Sequence, residues 1–307
     1  MISRTPAKAI LFGEHAVVYG EPAIAMAIDL YSHVEVSKSE EFLVDGSPPE
    51  PRYHSYIIKA YEMSGLKEKV NIKIRSHLSA SSGLGSSASV TVGTISTLFA
   101  LKGEWSKTEI AKTSFDVEYA VQGRASPVDT STVTAGGFVI VSRESYGKPI
   151  WEIEKNGIKW YVSSLKNLNQ EFIIANSGVR GSTGNLVQKV YNFVSKNSFG
   201  MDIIREIGKI SMESIKYLEE RNLEKIGELM NRNNKLLTIL GVGHEKTSKI
   251  IDSVKDFSYG AKITGAGGGG SVIILPKNEE KVKEILERSK IKYYLVRPDL
   301  NGVVLIN

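Results

Sequence analysis

Gly83-Leu84-Gly85-Ser86-Ser87-Ala88 stands where an alternating segment gives way to an apolar one, and residues of these types at such a junction are suited to holding phosphate. Glycines at 83 and 85 let the backbone approach an anion closely, while the free amides and positive dipole end of a following helix point at its oxygens. Ser86 and Ser87 can cap that helix or offer a hydroxyl to a metal ion. A Gly-Ser turn with an ordinary cap has the same composition. The Walker-type loop is excluded, because no Gly-Lys-Ser/Thr follows. Near the N-terminus, Pro6-Ala7-Lys8-Ala9-Ile10-Leu11-Phe12 places a lysine inside an apolar strand, with Glu14-His15 at the turn beyond. That lysine is costly to bury without an anionic partner, unless the strand lies at an edge and the side chain reaches solvent. Near the C-terminus, Lys262-Ile263-Thr264-Gly265-Ala266-Gly267-Gly268-Gly269-Gly270-Ser271 carries more glycine than a tight hairpin needs, which suits a backbone passing close to a ligand or a neighbouring loop.

These three segments, in this order and spacing, resemble the three motifs of the GHMP kinase superfamily. The first, Lys8 with Gly13-Glu14-His15-Ala16-Val17-Val18-Tyr19-Gly20, is most similar to its mevalonate kinase branch. One departure is that Ser79 and Ser81 stand where the family's second motif has Pro-x-Gly. A fourth stretch, Glu118 to Thr132, sets an acid eleven positions before Asp129, the separation at which the family carries its metal-binding Glu and catalytic Asp. Read without the family, Glu118 is a plausible solvated helix acid and Asp129 a plausible turn or cap residue.

The resemblance implies an α+β, two-domain fold, with an N-terminal domain like ribosomal protein S5 domain 2 over 1–165. A ferredoxin-like C-terminal domain would cover 166–307, with the active site between them. It implies ATP-dependent phosphorylation of the primary hydroxyl of mevalonate. ATP would lie over Ser82, Gly83, Leu84, Gly85, Ser86, Ser87 and Ala88, with Gly267 and Gly268 nearby. Mg²⁺ would be held by Ser87 and Glu118. Asp129 would orient or deprotonate the attacking hydroxyl, Lys8 would sit between Asp129 and the γ-phosphate, and Glu14 and His15 would hydrogen-bond the substrate hydroxyls. The substrate carboxylate needs a cation, for which Arg180 is the candidate; its alternative is a solvated loop arginine. Phosphomevalonate kinases, a kinase acting on a different mevalonate hydroxyl and a decarboxylase share the scaffold, and a ligand sensor without turnover is the alternative outside enzymology. A homodimer is compatible with the resemblance.

Composition bounds the rest. The 307 residues are 41% hydrophobic and 24% charged, with a formal net charge of +5. A mild positive balance favours anionic small molecules, but the absence of a long basic run or aromatic-interleaved basic stripe argues against a nucleic-acid partner. Cysteine is absent, which removes disulfides, thiolate catalysis and zinc-thiolate sites. The five histidines show no metal-ligand pairing at helical spacing. No signal-peptide-like or membrane-length apolar segment is visible, so a cytoplasmic enzyme with no membrane partner is expected.

The elements that must position these residues follow from periodicity. Strands are expected at Ala7 to Phe12, Ala23 to Ile28, Ser32 to Ser37, Val70 to Arg75 and Gly137 to Val141, with helices near 54–63, 86–101 and 107–122. Gly46 to Pro51 reads as a surface loop. After a strand at Glu171 to Ala175, helices are expected near 184–197, 202–220, 223–240 and 244–254. A strand, glycine loop, strand, helix and strand series then runs from Tyr259 to Ile306 and suits an antiparallel sheet in the second domain.

Overall fold

A computed structural model describes residues 1–76, 82–166, 168–181 and 183–306. Ser79, Ser81 and Ser182 lie outside the described residues. The first half runs β1 (Ile2–Phe12), a 3-10 turn (Ala16–Tyr19), β2 (Ala23–Lys38), β3 (Leu43–Val44), α1 (Pro51–Ser64), β4 (Val70–Ser76), α2 (Ser86–Leu101), α3 (Lys107–Gln122), α4 (Val128–Ala135), β5 (Phe138–Ser142), β6 (Trp151–Lys155) and β7 (Ile158–Leu165). The second half runs β8 (Phe172–Asn176), α5 (Thr183–Lys196), α6 (Ser198–Glu220), α7 (Leu223–Ile239), α8 (Glu245–Val254), β9 (Ser258–Thr264), β10 (Ser271–Pro276), α9 (Glu279–Arg288), β11 (Tyr293–Val296) and β12 (Val304–Ile306).

The first sheet has the order β12-β1-β2-β5-β7-β6, with β4 also paired to β2 and β3 to β4; the second is β11-β8-β10-β9. The fold is α+β. Its last strand departs from the sequence expectation: β12 returns to the first sheet and pairs antiparallel with β1, through Ile2 to Ile306 and Arg4 to Val304. The C-terminal tail therefore covers the open edge of β1, which a lone edge strand would otherwise expose. The two segments read as separate strands at 23–28 and 32–37 form one long β2. Its register shifts between Pro6 and Ala7, where β2 has extra residues opposite. Proline cannot donate to the ladder, and the irregularity accommodates it.

One hydrophobic core joins the halves. Ala7, Ala9, Leu11, Ile24 and Met26 from β1 and β2 pack with Phe172, Ile174, Ile210, Met230, Ile273 and Leu275 from the second half. The opposite face of β1, which carries Ile10, is covered together with β5 by Phe115 and Val128 of α3 and α4. Strand alternation puts Lys8 on that second face, two residues from Ile10 and toward the helices. α2 is buried along most of its length, and Gly93 lets it lie against β2, since a Cβ there would come within 2.7 Å of Val34.

α4 is an element that periodicity missed. Val-Asp-Thr-Ser-Thr-Val-Thr-Ala is rich in β-branched and hydroxyl residues, which are poor helix formers. Burial and back-bonding overcome this: Thr132 and Thr134 donate to the carbonyls of Val128 and Thr130, each at 2.7 Å, and Thr130 to Thr134 are fully buried. The consequence is functional. Asp129, expected in a loop, lies in the first turn of a helix, where the dipole favours an anion.

Candidate active site

Lys8 is the centre of the site. It is 2% exposed, and three contacts fix it: its Nζ lies 3.1 Å from Asp129 Oδ2, Nζ donates to the Gly83 carbonyl at 3.1 Å, and its backbone amide donates to the Leu84 carbonyl at 3.0 Å. The buried cation thus has the anionic partner it requires, and the same side chain ties the glycine loop to the acid. Asp129 keeps its side chain 26% exposed, so the pair can reach solvent or substrate.

The loop itself is shaped by glycine at two positions. Gly83 and Gly85 have φ of 81° and 72°, in the left-handed region. A Cβ on Gly85 would fall 2.8 Å from Lys8 Cγ, and one on Gly83 would fall 2.6 Å from the Thr264 carbonyl oxygen. Gly85 therefore makes room for the Lys8 side chain, and Gly83 for the third glycine segment. Gly85 occupies the N-cap position of α2 without a side-chain cap, and the first helical bond is Ser89 N to Gly85 O at 2.8 Å. The amides ahead of it, at Ser86, Ser87 and Ala88, are left free by the helix and face the place expected for an anion.

Beside this cradle, Glu118 is 7% exposed, its Oε2 has no hydrogen-bond partner among the described residues, and its Oε1 accepts from Gln122 at 3.1 Å. Burial, then the charge of Asp129, pushes its carboxyl up to about 8, with Lys8 pulling the other way. A bare buried carboxylate oxygen is suited to a divalent cation. Among the described residues no group of three or more His, Cys, Asp or Glu could hold a metal. One carboxylate and one hydroxyl completed by substrate phosphates is the pattern Mg²⁺ favours, and Glu118 and Ser87 fit it.

Within the Glu14-His15 turn, Glu14 directs its carboxylate into the protein. Glu14 is 1% exposed and both its oxygens are engaged: Oε1 by the fully buried Lys262 and Oε2 by Asn233 Nδ2 at 3.0 Å. Lys262 also donates to the Ile263 carbonyl at 2.7 Å; burial pulls its ammonium pKa down and the charge of Glu14 opposes that. Sequence reading missed Lys262 and Asn233. The signal for Lys262 was available, since Ala261-Lys262-Ile263 repeats the lysine-in-apolar-strand pattern of Lys8. His15 has φ of 62°, a strained value for a non-glycine residue, and its Nε2 lies 3.0 Å from the Ala266 carbonyl oxygen. Burial lowers its pKa, so the ring is neutral. A carbonyl can only accept, so Nε2 carries the proton and Nδ1 is an acceptor.

The third glycine segment touches the loop at its two ends. Gly265 packs on Gly83, and a Cβ on Gly270 would meet the Ser82 carbonyl at 3.1 Å. Gly267 and Gly268 pack within the C-terminal half instead: Gly268 N donates to the Val242 carbonyl at 2.8 Å, and a Cβ on Gly268 would fall 2.8 Å from Leu186. Arg180 is not brought to the Lys8–Asp129 pair. It is exposed and lines a cavity of about 700 Å³ with Ser82, Lys246, Lys249, Lys290 and Lys292.

The chain as a whole is similar to known proteins. The family model described as "GHMP kinases N terminal domain" matches residues 53–137, and "GHMP kinases C terminal" matches 214–295. A mevalonate kinase of Methanocaldococcus jannaschii is 37% identical, covering 94% of this chain and 95% of its own. The chain belongs to the GHMP kinase family, in its mevalonate kinase branch. A mevalonate kinase of Archaeoglobus fulgidus is 34% identical over 99% of both chains. The crystal structure of L. major mevalonate kinase in complex with R-mevalonate superposes with a TM-score of 0.77 at 25% identity, covering 96% of this chain and 95% of that one. No helix among the described residues is long and apolar enough to cross a membrane.

Proposed function

We propose that this GHMP kinase transfers the γ-phosphoryl group of ATP to the primary hydroxyl of mevalonate, with Asp129 and Lys8 as the reacting pair. The observation that carries the reading is the 3.1 Å contact between a buried lysine and a partly exposed carboxylate, the lysine being bonded as well to Gly83 and Leu84 just ahead of the α2 N-terminus. Phosphoryl transfer asks a protein mainly for positioning and charge neutralisation. The amides at the start of α2 cradle the phosphates. Asp129 accepts the hydroxyl proton as the oxygen attacks, and Lys8 balances charge on the transferring group while holding the loop against β1. Ser87 and Glu118 would hold Mg²⁺, which when bound neutralises phosphate charge.

Substrate recognition falls to the first motif. His15 offers Nδ1 as an acceptor for a substrate hydroxyl, while Glu14 acts from behind, fixing the turn through Lys262 and Asn233. Arg180 remains the cation proposed for the substrate carboxylate. Gly267 and Gly268 support the nucleotide by shaping the segment whose ends, Gly265 and Gly270, rest on the phosphate loop.

The test is single-turnover phosphorylation of mevalonate by Asp129→Asn, Lys8→Met and the double variant. General-base removal costs about 10² to 10⁴-fold. Residues acting as a unit are strongly non-additive, so the double variant is expected to be scarcely worse than the poorer single. Asp129→Asn retaining more than about a tenth of wild-type turnover refutes the general-base assignment.

A further inference from the structure

Gln122 is the last residue of α3, one turn beyond Glu118 on the same helix face, and Gly123 ends the helix immediately after it with φ of 75°. Its Nε2 donates twice, to Glu118 Oε1 at 3.1 Å and to the Tyr56 phenol oxygen at 2.9 Å. Both hydrogens of one carboxamide are thereby assigned, and the amide has a single orientation. Tyr56 comes from α1. Its ring packs into the cluster formed by Ala60, Ala88, Val92 and Ile95, which anchors the phenol against α2. The Ser87 hydroxyl, one residue before Ala88, interacts with the same phenol. Three helices thus converge on one bridge whose outer members are the carboxylate and the hydroxyl assigned above to the metal.

We infer that Tyr56 and Gln122 are positioning residues for the divalent-cation site, acting as an amide–phenol bridge that fixes Glu118 and Ser87 relative to each other. The inference rests on the assignment of Glu118 and Ser87 as ligands. Occupying Oε1 leaves Oε2 as the one bare oxygen of Glu118 and stops the carboxylate from turning. The phenol so placed lies beside the Ser87 hydroxyl. Partners of this kind orient metal ligands without touching the metal, and their removal costs about 10 to 100-fold in metal affinity.

The experiment is a Mn²⁺ titration followed by electron paramagnetic resonance, on the full chain with a non-hydrolysable ATP analogue bound. The variants are Tyr56→Phe, Gln122→Ala and their combination, with Glu118→Ala as the ligand control. The expected result is a Mn²⁺ Kd raised about 10 to 100-fold in each single variant. The double variant should be no worse than Gln122→Ala, because the two residues form one bridge. Metal-free nucleotide affinity and Tm should be unchanged, which a merely structural role would not predict. Should Tyr56→Phe lower Tm, Gln122→Ala, at an exposed residue, decides alone. Mn²⁺ affinity within about twofold of wild type in Gln122→Ala, while Glu118→Ala loses it, overturns the bridge. Unchanged affinity in Glu118→Ala overturns the ligand assignment itself, and the inference with it.

Discussion

Replacing Lys262 by methionine should be among the most destabilising single changes in the chain. The substitution keeps volume and removes the charge, leaving the Glu14 carboxylate at 1% exposure with only Asn233 for a partner. Breaking a buried pair by removing one member costs about 3–5 kcal/mol, because the remaining charge is uncompensated. The unfolding entropy of roughly 2.1 cal/mol/K per residue gives about 0.6 kcal/mol/K for 307 residues, so Tm should fall by about 5–8 °C. Glu14→Gln should cost less, since the Lys262 pKa is already drawn down by burial and the residue can shed its proton. That variant should grow more stable with rising pH: the folded state releases the proton first, so the unfolded state binds more. Combining the two substitutions removes both charges and should restore most of the loss. Calorimetry of the four proteins, read as a double-mutant cycle, is the assay. A Tm for Lys262→Met within about 2 °C of wild type, or single losses that simply add in the double variant, would refute the reasoning.

Gly85→Ala should lower kcat strongly while leaving the protein folded, since its Cβ would press the middle of the Lys8 side chain from 2.8 Å at a backbone φ of 72°; steady-state kinetics and Tm separate the two effects, and full activity would show that the loop adapts. Metal-free stability should decline as pH rises from the ordinary carboxylate range to about 8, because Glu118 stays protonated in the fold while the unfolded chain releases its proton. Metal binding over the same window should release a proton and tighten with pH; titration calorimetry in buffers of different ionisation enthalpy measures this, and no proton release would mean that Glu118 is already ionised.

The need of Lys8 for an anionic partner was legible because an apolar strand cannot hide an ammonium alone, and the glycine loop was legible because Gly83 and Gly85 are the residue type that takes a positive φ freely. The pairing was not legible. Two strand lysines, Lys8 and Lys262, and two acids, Asp129 and Glu14, meet near the same turn, and tertiary placement alone decides which joins which. α4 was hidden because its threonines favour strand locally and become helical through burial and back-bonded hydroxyls. The β6–β7 hairpin was readable but unread: Trp151 and Ile153 alternate with Glu152 and Glu154, and Asn156-Gly157, at φ of 51° and 73°, is a favoured two-residue turn. Tyr56 and Gln122 carried no signal in the sequence, since their interest arises only from the convergence of α1, α2 and α3.

Substrate identity is tested most directly by ADP release from the wild-type enzyme over mevalonate, phosphomevalonate, galactose and homoserine under one set of conditions. The buried, neutral His15 at a fixed turn and the membership in the mevalonate kinase branch predict that mevalonate gives the highest kcat/KM of the four. A kcat/KM for phosphomevalonate or a sugar that exceeds mevalonate by about tenfold, equal to about 1.4 kcal/mol of transition-state binding, would contradict the account.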